Sequence, residues 1–296
     1  GLNPIRNSFH GLNMFVDRID VDLSDNSCVF LHFSKGRDIK VLFESNKYFD
    51  VSRYADFVRY DLNPFTLLLD FILDRDPKKE HTVLQFANFS KIDIKTALNL
   101  IIEMEVVGFL DYNRFGDKFI VDKWLFDFRD AIKEDYDYDN LKIESLAAIG
   151  DSVAKFNFRL NTLEIYGVQN INITNRFPFN IYPMSNKLTF FDNKSFSMDG
   201  NISIGNFAFS GKELVFNYED FAFYFSHNSL LSFIDKLDSE VLSSSLIHFD
   251  KGVLYVDSTD NKSGVYENND FPKFKVDNTC FLSYKNDPVV FLIHPF

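Results

Sequence analysis

The chain has no apolar run approaching the ~20 residues that a membrane-spanning helix needs, which excludes helical insertion in a bilayer. It is also short of positive charge. Against 43 acidic residues stand 31 Lys and Arg, a net charge of −12. Sequence-independent nucleic-acid binding depends on neutralising phosphates, so this balance disfavours it, and it disfavours docking on anionic lipid equally. Two cysteines, Cys28 and Cys280, sit near opposite ends of the chain, too few and too far apart for a disulfide framework or a zinc site. Two buried free thiols are expected, with a single long-range bridge as the alternative. Gly and Pro are sparse, at 12 and 8 of 296 residues, and with 46% apolar and 25% charged residues the composition is that of a folded globular protein. No conventional signal-peptide pattern opens the sequence. The first residue is Gly, and Val289 to Phe296 read as a strand running into its next turn. The sequence therefore reads as an excerpt of a longer protein, or as a mature form with a tag remnant.

What the chain has in excess is Phe: 36, against one Trp and four Met. Phe suits half-buried pleated surfaces, and the frequent Asn between apolar stretches suits tight turns. Many Phe-lined strands joined by Asn/Asp turns are the simplest reading. From Ile19 to Leu23 apolar residues alternate with Asp20 and Asp22. Val29–Phe33 and Ile39–Phe43 follow as strands, with Ser34–Asp38 as the hairpin connection.

The period then lengthens. Asn63-Pro64 places Pro in a first helical turn, and Phe65, Leu68, Leu69 and Ile72 follow at helical spacing. A short second helix is expected through Val83, Leu84 and Phe86-Ala87. A third carries Ile94, Ala97, Leu98, Ile101 and Ile102 on one stripe, with Gly108 as its cap. Phe109–Tyr112 and Asp117–Val121 flank a turn. Three short helices and a hairpin over residues 61–123 resemble the winged helix-turn-helix family, with Phe65, Leu69, Leu98 and Ile101 expected in one core. The resemblance implies DNA recognition by the third helix. From Asp61 to Lys123, however, 11 acidic residues face 8 basic ones, a net of −3. Phosphate repulsion favours a structural or protein-binding role instead.

Residues 130–152 read as an acidic, turn-rich linker. From Val153 onward short strand signals recur every 8–12 residues or so, the rhythm of a sandwich, barrel or solenoid. Helical spacing returns only near Leu230–Leu237. Gly167-Val168-Gln169, Gly200-Asn201-Ile202, Gly205–Gly211 and Asn261–Gly264 followed by Phe271–Phe274 resemble segments of very large exported proteins of the Bacteroidota. This resemblance covers roughly residues 150–296, and Asn261–Phe274 is its closest part. It implies a β-rich cell-envelope protein (a cytoplasmic location is the alternative) and supplies no catalytic residues.

The chemical motifs each have a plainer explanation. Gly150-Asp151-Ser152 matches the start of one esterase group, but a strand follows it where that chemistry needs a helix. The six histidines are scattered, so no pair shares a helix or strand face. Asp135, Asp137 and Asp139, and more loosely Asp257, Asp260 and Asn261, alternate without calcium-loop spacing and are expected to be solvated turns. No catalytic, cofactor or metal residue is assigned.

The fold expected is mainly β with a small α+β insert: β-sandwich or solenoid-like modules flanking a winged-helix-like domain. The divisions are residues 1–59, 60–129, the 130–152 linker and 153–296. The function expected is a non-enzymatic structural or protein-interaction module whose partner is a protein or the rest of a longer chain. Two alternatives stand beside it, an apolar-ligand or lipid-conducting β protein and a DNA-linked regulator. The one candidate surface is the set Phe207, Phe209, Phe216, Phe221, Phe223 and Phe225. Either it stays open to an apolar ligand or partner, or it fills a narrow core.

Overall fold

A computed structural model of the chain describes residues 4–33, 40–50, 55, 63–146, 151–226, 229–233, 245–276, 280–284 and 287–293. The expected hairpin connection at Ser34–Asp38 and Gly150 of the esterase-like motif lie outside them, as do Ile234 to Leu237. Two compact units divide the chain: Gly1–Tyr48 with Asp139–Phe296, and Phe49–Tyr138 between them.

In chain order the first unit opens with β1 (Ile5–Asn7), β2 (Leu12–Met14), β3 (Arg18–Asp22), β4 (Ser27–Leu31) and β5 (Lys40–Ser45). The inserted unit holds α1 (Pro64–Ile72), β6 (His81–Thr82), α2 (Val83–Ser90), α3 (Ile94–Val107), β7 (Leu110–Asn113), β8 (Lys118–Val121) and α4 (Trp124–Ile132). The first unit then resumes with β9 (Lys142–Leu146), β10 (Ser152–Asn157), β11 (Thr162–Tyr166), β12 (Val168–Asn172), β13 (Phe179–Pro183) and β14 (Lys187–Phe190). Two long strands follow, β15 (Phe196–Ile204) and β16 (Phe207–Asn217). The remainder is β17 (Ala222–Phe225), β18 (Ser229–Phe233), β19 (Ser245–Phe249), β20 (Gly252–Tyr255), β21 (Lys273–Val276), β22 (Cys280–Tyr284) and β23 (Asp287–Ile293). The protein is mainly β with a small α+β insert.

Local chemistry sets the helices. Asn63 caps α1, with its side chain accepting from the Thr66 N–H and Pro64 in the first turn. Thr82 and Gln85 form a reciprocal capping box on α2, and Asp93 caps α3. Gly108 ends α3 at φ 88°, a conformation that costs a residue with a Cβ. Phe65 and Ile101 are fully in the core of this unit, with Leu68, Phe71, Phe86, Met104 and Phe119 around them. Leu69 and Leu98, expected beside them, are only half-buried, because Leu68 and Leu100 take the inward positions. Ile94 leaves its expected stripe and is 55% exposed, being the first residue after the cap. α4 was not anticipated. It buries Leu125, Phe128 and Ala131 on the same core, and its last three residues fall in the stretch read as a linker.

In the larger unit the chain repeatedly runs from one row of strands straight into another. Gly167 alone separates β11 from β12, yet β11 pairs with β10 and β14 while β12 pairs with β9 and β13. The pairings change rows likewise between β2 and β3, β4 and β5, β9 and β10, β13 and β14, β17 and β18, β19 and β20, and β21 and β22. So β4 and β5, expected as the arms of a hairpin, pair with β3 and β10 and with β2 and β9 instead of with each other. β15 makes it within one strand, pairing with β14 through Phe196–Ser197 and with β13 through Gly200–Ile204. β16 does likewise between β18 and β17. One antiparallel sheet is thus folded over along a line. Its upper leaf runs from β1 and β2 through β5, β9, β12 and β13 to β22 and β23. Its lower leaf runs from β3 and β4 through β10, β11 and β14 to β20 and β21. The inward residues of both leaves, among them Ile202 and Phe209 above and Phe190 and Phe216 below, form a single core. Strands expected as an N-terminal module therefore belong to the same sheet as those after Val153. The linker region contributes β9, which bonds β5 on one side and β12 on the other.

Glycine is required where the sheet folds. Gly167 sits at φ 70°, and a Cβ there would lie 2.1 Å from the Leu146 carbonyl oxygen. Gly200 and Gly211 face each other in register, and a Cβ on Gly200 would meet the Tyr182 carbonyl at 2.3 Å. Beside them β16 carries one extra residue. Met198 opposes Leu214 and Gly200 opposes Gly211, so three steps on β16 match two on β15. Glu213, at φ 52°, absorbs the bulge and donates its N–H to Asp199 Oδ1 at 2.7 Å. Leu230 to Phe233 form β18 instead of the expected helix turn, since β16 and β19 bond it on both sides. Apolar spacing in so short a run does not decide between the two.

Candidate functional site

Of the six Phe residues singled out, five are buried. Phe216 and Phe223 lie 4.8 Å apart by ring centroids, and Phe221 is 5.8 Å from Phe216. Phe209 and Phe225 (5.5 Å) join Phe274, which is 5.0 Å from Phe209. The set splits into two neighbouring clusters in one filled core, so the open-face alternative does not hold for these five. Phe207 is 43% exposed, because it opens β16 beside the Gly205-Asn206 turn, at the leaf margin.

The polar chemistry gathers where the two leaf margins meet. The turn between β1 and β2 belongs to the upper margin. Its Phe9 and His10 carbonyls accept from Asn193 N–H (3.1 Å) and Lys194 N–H (2.9 Å), in a turn of the lower margin. His10 is buried, with Nε2 at 3.2 Å from the Asn161 carbonyl. Its Nδ1 lies 3.1 Å from Asn7 Oδ1. Asp139, just before β9, is buried and accepts from Tyr218 OH and from Lys194 Nζ at 3.0 Å. Lys194 Nζ also lies 3.9 Å from the Tyr218 ring centroid, with Lys262 Nζ at 4.9 Å, so two cations share one ring.

Further along, the loop between β20 and β21 closes onto the loop between β12 and β13. Arg176 donates to Asp257 Oδ2 at 2.8 Å and to the Asn268 carbonyl, and the Asp257 side chain is wholly buried. Asn140 Nδ2 donates to the Ser263 carbonyl at 2.7 Å. Asn261 holds the loop's own shape by accepting from Tyr266 N–H and donating to the Tyr266 carbonyl. Gly264, at φ 72°, lets the loop approach until a Cβ would meet Arg176 Cβ at 2.9 Å. The result is a seam of buried hydrogen bonds and ion pairs that fastens the folded sheet shut.

This placement corrects the expectation for the acidic clusters. Asp139, Asp257 and Asn261 are buried members of the seam, not solvated turns, because each has a cation, a phenol or backbone groups to satisfy it. The sequence signal was faint: Asn, Asp and Lys around Gly264. Ser152 of the esterase-like motif opens β10 and donates to the Ala154 carbonyl at 3.1 Å. Cys28 is a buried free thiol whose pKa burial raises. Among the described residues no three His, Cys, Asp or Glu side chains are placed to hold a metal ion. No described helix is long and apolar enough to cross a membrane, which says nothing of a barrel. A shallow cleft of about 390 Å³ lies outside the lower leaf near the fold line, lined by Lys187, Thr189, Asp199 and Glu213 among others.

Burial holds the His10 imidazole below its ordinary value of 6.5, outweighing the Asn161 carbonyl and Asp192, which act the other way. The unfolded chain therefore binds a proton that the folded one resists. His10 contributes stability that is full above about pH 6.5 and lost as pH falls through its lowered folded value. The urea midpoint should drop on acidification from about pH 7 to about pH 5, and His10→Gln should flatten that slope.

No family model, curated protein or solved structure matches the chain.

Proposed function

We propose that this chain is a non-enzymatic structural or protein-interaction module of a larger cell-envelope protein. One observation carries the reading: the margins of the folded sheet interlock through buried ion pairs over a core already filled with Phe rings. Such a body holds its shape and gives a ligand no room inside, which favours it over the lipid-conduit alternative. Recognition then falls to strand edges, margin loops and the inserted unit. The partner is a protein, or other parts of a longer parent chain. The cell-envelope location rests on the likeness of the Gly167, Gly200–Gly211 and Asn261–Phe274 segments to exported Bacteroidota proteins.

The inserted unit is read as winged-helix-like in a structural or protein-binding role. Its order α1, β6, α2, α3, β7, β8 supports this, with β8 paired to both β6 and β7. So does its net acidity, which opposes phosphate contact. Chromogenic esters and glycosides should show no turnover above background. Turnover that vanishes in Asp139→Asn would overturn the non-enzymatic reading. Generic duplex DNA should not bind at physiological salt, and a salt-sensitive shift below micromolar concentration would restore the DNA-linked alternative.

A further inference from the structure

At one end the two leaves stop out of step. The lower leaf ends at β3, which among the described residues pairs with β4 alone. The upper leaf goes one strand further, because β2 passes into β3 across the fold line and β1 lies outside β2. Ile5 on β1 stands opposite the buried Met14, so this extra strand also has a core-facing side.

Exposure reveals what the step leaves bare. Ile19 and Val21 stand opposite Phe30 and Cys28 in register, and so point to the same, core-facing side of the leaf. Phe30 and Cys28 are buried, whereas Ile19 is 40%, Val21 58% and the following Leu23 84% exposed. The other side of β3 carries Arg18, Asp20 and Asp22. Exposed edges are ordinarily blunted by Pro, a bulge, inward charges or charged side chains, lysine above all. The far end of the lower leaf follows that rule, with Lys273 and Lys275 exposed on β21. β3 has no Pro, no bulge against β4 and no inward charge.

We propose that β3 is an acceptor edge for one extended strand of a partner protein, apolar on its inward positions and Lys- or Arg-bearing on its outward ones. This rests on the reading of the chain as a protein-interaction module and names the surface and partner chemistry. One added strand fills the step: its inward residues cover Ile19 and Val21 and face β1. A second copy fits less well, since its own upper leaf would have to occupy the place of β1. The basic preference follows from the outward side, where Arg18 pairs with Asp20 and leaves the negative charge of Asp22 in excess; opposite charges across a strand pair attract and like charges repel. Added strands of this kind gain affinity from the backbone ladder and specificity from alternate side chains.

Hydrogen exchange read by mass spectrometry on the full chain tests this with two short synthetic peptides, one alternating Val and Lys, the other Val and Glu. The Val/Lys peptide should slow exchange at Arg18–Asp22 and bind about tenfold more tightly than the Val/Glu peptide. Val21→Lys should abolish the protection, and the Asp20→Lys, Asp22→Lys double variant should reverse the preference. Val21 is exposed, so the fold should survive; were it to fail, the charge-reversed variant alone decides. No protection, protection elsewhere, or equal affinity for both peptides would overturn the proposal. So would a dimer protecting residues 18–22 without peptide, which would place a second copy there. None of these readouts depends on turnover, the result that would overturn the interaction reading itself.

Discussion

Arg176→Met should destabilise the larger unit by about 3–5 kcal/mol, because it strands the Asp257 carboxylate in the seam without a counter-ion. A loss of that size is a large share of the roughly 5–15 kcal/mol that holds an ordinary domain together. The second substitution distinguishes the missing charge from the missing volume. Arg176→Met combined with Asp257→Leu should recover most of the stability, since a buried pair replaced by apolar groups is often neutral or better. Urea midpoints of the two single variants and the double variant measure the coupling. If Arg176→Met alone is neutral, the seam does not fasten the leaves at this point.

Phe216→Ala should cost a similar amount, roughly 3–5 kcal/mol, by opening a cavity among Phe196, Phe221 and Phe223. Phe207→Ala, at the exposed margin, should stay within about 0.5 kcal/mol of the parent. The chain has one Trp, Trp124, and it lies in the inserted unit. Its fluorescence therefore follows that unit while the β signal in circular dichroism follows the larger one. Phe216→Ala should move the second transition far more than the first. Equal costs at Phe216 and Phe207 would contradict a filled core.

Period-two alternation made the strands legible, and helical spacing did the same for three helices, with Pro64 at one start and Gly108 at one end. What stayed hidden was whatever depends on residues distant in the chain. Gly167 carries the chain on from one leaf to the other, and nothing beside it in the sequence announces that role. The bulge at Glu213 changes which residues of β16 face inward, so Phe209 and Phe216, seven apart, share a side that strict alternation denies them. The seam was least visible. Asp139 and Asp257 resemble solvated acids until Lys194, Tyr218 and Arg176 arrive from elsewhere in the sequence, and no local pattern announces those partners.

The insertion point has a kinetic consequence. β5 and β9 are neighbours, with Val41 opposite Ser145, so their pairing closes a loop of about a hundred residues. Between them, the helices of the inserted unit rest on contacts close in sequence, the sort that form fast. Within that unit Phe49 and Tyr138, its first and last residues, lie 4.7 Å apart by ring centroids. Once it has folded, Tyr48 and Asp139 are already neighbours, and the long closure shrinks to the span of a tight hairpin. The insert should thus act as a clasp, collapsing early and presenting β5 and β9 to each other. Replacing residues 49–138 with a flexible tether of the same length should slow formation of the β signal even where the final sheet is unchanged.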